Sequence, residues 1–161
     1  MWIISIVIIL IFCIWLSHVS HSNYVEKDNS VGKILSSPFA YFEYEIVGES
    51  FYQNNLLKII GSKSEESIEL KVNALLQRDL NNKHDKNAVA VYVNDLQVGH
   101  LNRHDAKFFC EIIKSKRFKD NDCFDVDGLI VGGWKRKNSE GNLGVKLNID
   151  EEIRNIIIEK Y

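Results

Sequence analysis

The sequence is short of the residues that build several specialised protein classes. It has one proline, Pro38, and three cysteines, Cys13, Cys110 and Cys123, in 161 residues. Three cysteines without a Cys-x-x-Cys pair make neither a disulfide framework nor a zinc ribbon, and a reducing compartment is the simpler reading. No Gly-x-x-x-x-Gly-Lys-Ser/Thr loop is present, which excludes a P-loop motor on this chain. Excess positive charge is missing too: 20 Lys and Arg stand against 22 Asp and Glu, for a net charge of −2. Proteins that coat nucleic acid are usually basic, so extended backbone binding is disfavoured while a small end-binding pocket is not. The length suits one domain plus an extension.

What is present begins with an apolar N-terminus. Trp2 to Leu16 carries no charge and no helix breaker. With Met1 and Ser17 to Val19 it just reaches the roughly 17–20 apolar residues that a membrane span needs. Trp2 and Trp15 bracket it as interfacial aromatics do. A cleaved signal peptide fits less well, because no Lys or Arg precedes the run and no small-x-small site follows. The expectation is a retained transmembrane anchor over residues 1–19, set in membrane lipid through Trp2 to Val19, then a polar tether over residues 20–38. Lys27 and Lys33 follow the span, which favours a single-pass membrane protein with a cytoplasmic C-terminal domain.

The rest reads as mainly β, with one or two helices. Phe39 to Val47 alternates and predicts a strand ended by Gly48; Ser50 to Asn54 reads as an aromatic loop, and Leu56 to Ile60 as a short helix or strand. Ile68 to Gln77 predicts a long strand. Ala88 to Val93 is a dense apolar run that fits a strand buried on both faces, and Asn94-Asp95 turns the chain into Gln97 to Leu101. Ala106, Phe108, Phe109, Ile112 and Ile113 give Asn102 to Lys116 the apolar face of a helix. Cys123 to Val131 predicts a strand broken by Gly132-Gly133, Trp134 to Asn142 a charged loop, and Leu143 to Ile149 a last strand. Glu151 to Lys160, with Ile153, Ile156, Ile157 and Ile158, reads as a short helical tail. Many short strands with few helices predict a small SH3- or OB-like β-barrel over residues 39–150, ahead of the tail at 151–161.

The most informative segment is Gln77 to Leu101. Asn81, Asn82, His84, Asp85 and Asn87 crowd a turn, where Asn and Asp tolerate unusual backbone angles and bond their own backbone. The order Asp79, Asn81-Asn82, Asp85-Lys86-Asn87-Ala88, a strand, then Val98-Gly99-His100-Leu101 resembles the HIRAN domain family, a small β-barrel module. The likeness runs from about Tyr41 to Ile149. It implies capture of the 3′ end of single-stranded DNA; the residue spacings themselves lead to the expectation of no cofactor, no metal and no catalytic residue. Asp85 matches the carboxylate that accepts from the terminal 3′-hydroxyl. Asn81 and Asn82 match polar residues on the terminal nucleotide, and His84 replaces an aromatic one. Phe51 and Tyr52 match a base-stacking pair; His100 and Arg103 match residues near backbone phosphates. The chain departs from the pattern at Ser50 (Arg expected), Lys83 (Pro) and Leu143 (a stacking Phe).

Each residue has a plainer reading beside this one. Asn81, Asn82, Asp85 and Asn87 make a turn on their own account, and Phe51 and Tyr52 suit a core equally well. The lysines of 114–119 and 135–137 read first as a solvated face. A membrane-tethered protein-interaction module that kept the fold without DNA binding is the alternative function. A hydrolase acting at nucleic-acid ends is third, since no His/Cys/Asp spacing fits a metal or nucleophile motif.

Overall fold

A computed structural model describes residues 30–35, 41–149 and 153–161; the expected anchor, Trp2 to Val19, and most of the expected tether lie outside the described residues. Among the described residues no helix is long and apolar enough to cross a membrane.

The strands in chain order are β1 (Ser30–Ile34), β2 (Tyr44–Glu45), β3 (Ile68–Arg78), β4 (Val89–Val93), β5 (Leu96–His100), β6 (Cys123–Gly132), β7 (Lys135–Arg136), β8 (Ser139–Glu140), β9 (Leu143–Leu147) and β10 (Ile158–Lys160). Among the described residues two α-helices, α1 (Gln53–Ile60) and α2 (Arg103–Ser115), join them. The main sheet runs β10-β1-β6-β3-β4-β5, with β9 pairing both β6 and β2. Its pairs are antiparallel except β1 with β6. The sheet curls into a half-barrel. Its β2 and β5 sides meet where Val47 and His100 exchange backbone hydrogen bonds of 2.8 and 2.9 Å. Gly99 sits in that seam. A Cβ there would lie 2.6 Å from Ile46 Cδ1 and 2.8 Å from the Val47 carbonyl oxygen, so the Val-Gly-x-Leu motif needs glycine for close backbone approach.

The core follows the two-residue period of the strands. Ala74 and Leu76 of β3, Val89, Val91 and Val93 of β4, Phe124, Val126 and Ile130 of β6, and Val145 and Leu147 of β9 are all buried in one cluster. Leu56 of α1 and Ala106, Phe109 and Ile113 of α2 complete it. Phe124 meets Phe109 and Phe118 edge-on, with ring centroids 5.5 and 4.9 Å apart. A second, small cluster of Leu75, Ala90, Tyr92 and Cys123 lies on the opposite face, and so every residue of β4 is buried. Asn102 caps α2, accepting from the Asp105 N–H at 3.0 Å.

Several expectations are corrected. Strand pairing in the 39–47 region is limited to Tyr44–Glu45 and the Val47 bridge, because Phe42 adopts φ 45° and only Leu147 and Lys146 face this stretch across the sheet. The expected loop at Ser50 to Asn54 is a 3-10 turn, Glu49–Phe51, running into α1; Gly48 at φ 85° turns the chain so that Phe51 and Tyr52 donate to Gly48 and Glu49. Trp134 to Asn142 contains the β7–β8 hairpin. Within the expected tether, Ser30–Ile34 is β1. The expected helical tail is instead one 3-10 turn, Ile153–Asn155, followed by β10, because β1 offers a free edge that pairs Gly32 to Ile34 with Lys160 to Ile158.

Candidate nucleic-acid interface

The turn between β3 and β4 is built by its own side chains. Its neck closes where the Asp79 N–H donates to the Ala88 carbonyl at 2.8 Å. Asn82 Oδ1 accepts the backbone N–H groups of His84 and Asp85, both at 3.0 Å, and Asn82 Nδ2 donates to Asp79 Oδ2 at 3.1 Å. Asp85 Oδ1 accepts the Asn87 N–H at 2.9 Å. Asn82 and Asp85 are therefore turn builders, as the plainer reading had it, but Asp85 spends only one oxygen this way. Its Oδ2 faces Arg103 Nε at 3.4 Å, across a guanidinium that is 79% exposed.

A second group abuts this turn. His100 Nε2 lies 3.4 Å from Asp79 Oδ2 and 3.0 Å from Gln97 Nε2. One nitrogen cannot serve both at once: as an acceptor it takes the Gln97 amide, and as an N–H it donates to Asp79. The Tyr52 ring stands 6.1 Å from that of His100, tilted by 54°. Burial raises the Tyr52 hydroxyl pKa, Asp79 adds to this, and a bond from Gln97 opposes both. Tyr52, His100, Asp79, Asn82, Asp85 and Arg103 thus form one connected polar face. Phe51 lies at its rim, 87% exposed, and Asn81 and His84 are exposed on the turn. The side chains of Asn81 and His84 make no hydrogen bond or ion pair among the described residues.

The structure brings together Tyr52, Asn82, Asp85, His100 and Arg103; Phe51, Asn81 and His84 are peripheral. Sequence reading named Asp79 only as part of a pattern and missed Gln97. Strict alternation along β5 puts Gln97 and His100 on opposite faces. A bulge at Val98 shifts the register, pairing Tyr92 with Gln97 but Val91 with Gly99, and so carries both side chains to one face. Leu143, where the family pattern has a stacking aromatic, is 2% exposed, and both its backbone groups are bound by the Gln53 side chain. It is a core residue here. A concavity of about 450 Å³ lies elsewhere, on the outer face of the sheet around Asp125 and Lys71. Its buried carboxylate, Asp125, already accepts from Ser30, Asn73 and Tyr161, a closed set that serves the sheet.

The half-barrel thus carries an exposed aromatic beside an acid-bearing turn with a flanking arginine. The chain belongs to the HIRAN domain family, a class of nucleic-acid-binding modules, whose model matches residues 39–127, more than half of its length. No curated protein and no solved structure matches it.

Proposed function

We propose that the Tyr52–Asp85 face binds the terminal nucleotide of single-stranded DNA through its free 3′-hydroxyl. The observation that supports this best is the divided Asp85 carboxylate. Oδ1 is held by the Asn87 N–H, so the group cannot rotate freely, while Oδ2 meets, among the described residues, only the exposed Arg103. A fixed carboxylate oxygen accepts from a hydroxyl and repels a phosphate in the same place. Arg103 is free to turn to the adjoining phosphate, and Phe51 supplies an exposed ring on which a base stacks, worth ~1–3 kcal/mol. The reading is of binding, with the nucleic acid released intact.

The test is fluorescence anisotropy with short oligonucleotides bearing a 3′-hydroxyl or a 3′-phosphate. Asp85→Asn keeps the turn acceptor and replaces Oδ2 with a donor. A hydrogen bond to a charged acceptor contributes ~1.5–3 kcal/mol, so the variant should bind the 3′-hydroxyl strand roughly ten- to a hundredfold more weakly. Equal binding of the two ends by the wild type would defeat end recognition. No binding to either would favour the protein-interaction reading, which draws on the net charge of −2 and on the core role of Leu143. We also propose that Trp2 to Val19 holds the domain at a membrane, on the cytoplasmic side. Intact mass of the membrane fraction tests this; a soluble mature chain starting near Ser20 would overturn it.

A further inference from the structure

We propose that the bound strand continues from the Asp85 end site along one face of α2, its phosphates lying in a cationic groove formed by Lys86, Lys107 and Lys114. This rests on the end-binding reading and extends it. The groove has a volume of about 330 Å³ and lies between the β3–β4 turn and α2. It begins next to the end site on both walls. Lys86 follows Asp85 in the turn, and Lys107 stands one helical turn beyond Arg103, the partner of Asp85. Arg103, Lys107 and Lys114 are four and seven residues apart, a spacing that keeps them on one side of the helix. From first to last they cover about 17 Å of rise.

The balance of charge favours an anionic occupant. Glu111 and Asp120 also line the groove, but each is already paired, Glu111 with Lys107 at 3.9 Å and Asp120 with Arg78. Lys86 and Lys114 have no side-chain ion pair or hydrogen bond among the described residues. Beneath them Arg78 is held by Asp120 and by the Lys86 carbonyl at 2.9 Å, while its Nε is buried without a partner. Arg78 and Asp120 cancel, as do Lys107 and Glu111, so the net positive charge of this concave surface is that of Lys86 and Lys114. Apart from Cys110 every residue lining it carries a polar or charged side chain, which suits a phosphate backbone better than an apolar peptide.

The experiment compares a trinucleotide, long enough for the end site only, with a decamer, both carrying 3′-hydroxyls. Lys86→Glu/Lys114→Glu should weaken decamer binding roughly tenfold at low salt and leave the trinucleotide unchanged. Single strands contribute about 0.7 to the log–log salt slope per phosphate neutralised, so the decamer slope should become shallower by about 1.4. Lys135→Glu/Lys137→Glu, on the β7–β8 hairpin at the far end of β6, is the charge-matched control. Equal loss in the control, or an unchanged slope in the groove variant, would overturn the groove. The two readings fail separately. Preference for 3′-hydroxyl with equal trinucleotide and decamer affinity sinks the groove alone. Groove-dependent decamer binding without end preference sinks the end site alone.

Discussion

Asn82 and His84 stand two residues apart in the same turn and have opposite roles. Asn82 accepts two backbone N–H groups and donates to Asp79, whereas the His84 side chain is exposed. A net hydrogen bond is worth about 0.5–1.5 kcal/mol. Asn82→Ala should therefore lower stability by roughly 1–2 kcal/mol in urea unfolding, while His84→Ala leaves the midpoint in place. Equal effects would show that the turn is ordered by something else. Tyr92 gives a pH prediction. Burial first, then Asp79 and Tyr52, push its hydroxyl up to about 12 from the ordinary 10.0. The folded state then holds a proton that the unfolded chain has released. This contribution to stability is complete below about pH 10 and is lost as pH rises through about 12. Tyr44 shifts in the same direction, through burial and then its bond to Asp105. Alkaline unfolding should begin above pH ~10, and Tyr92→Phe should move it to higher pH, followed by circular dichroism beside phenolate absorbance. An unmoved alkaline midpoint would remove Tyr92 from the account.

At the scale of elements, the half-barrel depends on how closely β5 approaches the Val47 segment. Gly99→Ala places a methyl group against the Ile46 side chain and the Val47 carbonyl, where backbone cannot yield cheaply. Overpacking of this kind costs typically ~1–3 kcal/mol. Fast amide exchange at Val47 and His100, relative to the β3–β6 ladder, is the expected signature. The same change should disturb Tyr52 and His100, because both sit on the two sides of that seam. An alanine variant with native exchange at both amides would show that the seam has slack. The β4–β5 hairpin was readable in advance for a local reason. Asn94 and Asp95 both take positive φ, 49° and 63°, as a two-residue hairpin turn demands, and Asn and Asp are among the residues that accept it.

For the whole molecule, the matched family region and the folding unit differ. Residues 39–127 end inside β6 and omit β1, β9 and β10. Those strands carry Ile34, Leu143, Val145, Leu147 and Ile158 into the core, with Ile153 and Ile156 beside them. A fragment trimmed to 39–127 should therefore be unfolded by circular dichroism, while one starting at Ser30 and running to Tyr161 folds. A native-like spectrum from the shorter fragment would contradict this. The position of β1 also bears on the proposed anchor. Only residues 20–29 separate Val19 from β1, and ten extended residues reach at most about 35 Å. A chain held in a membrane through Trp2 to Val19 would keep β1 within about 35 Å of the surface.

The sequence by itself determined β3, β4, β5, α2, β9 and most of β6, together with the turn that supports the candidate site. Each is set by local chemistry: alternation or helical spacing of apolar residues, an Asn cap, and Asx bonds that close within three residues. The residues from Asp79 to Asn87 stood out for the same reason. Tertiary structure decided β1, β10, the bulge in β5 and the groove. Ser30–Ile34 looks like a polar linker until β6 and β10 pair with it, and Ile153 to Ile158 is apolar enough for either helix or strand until β1 presents an edge. Gln97 joins His100 only because a bulge breaks the two-residue period. The Lys86–Lys114 groove exists only because the turn and α2, separate in the chain, are packed against each other. Local preferences extend over a few residues, whereas an edge, a register shift or a groove is a property of segments that meet across the fold.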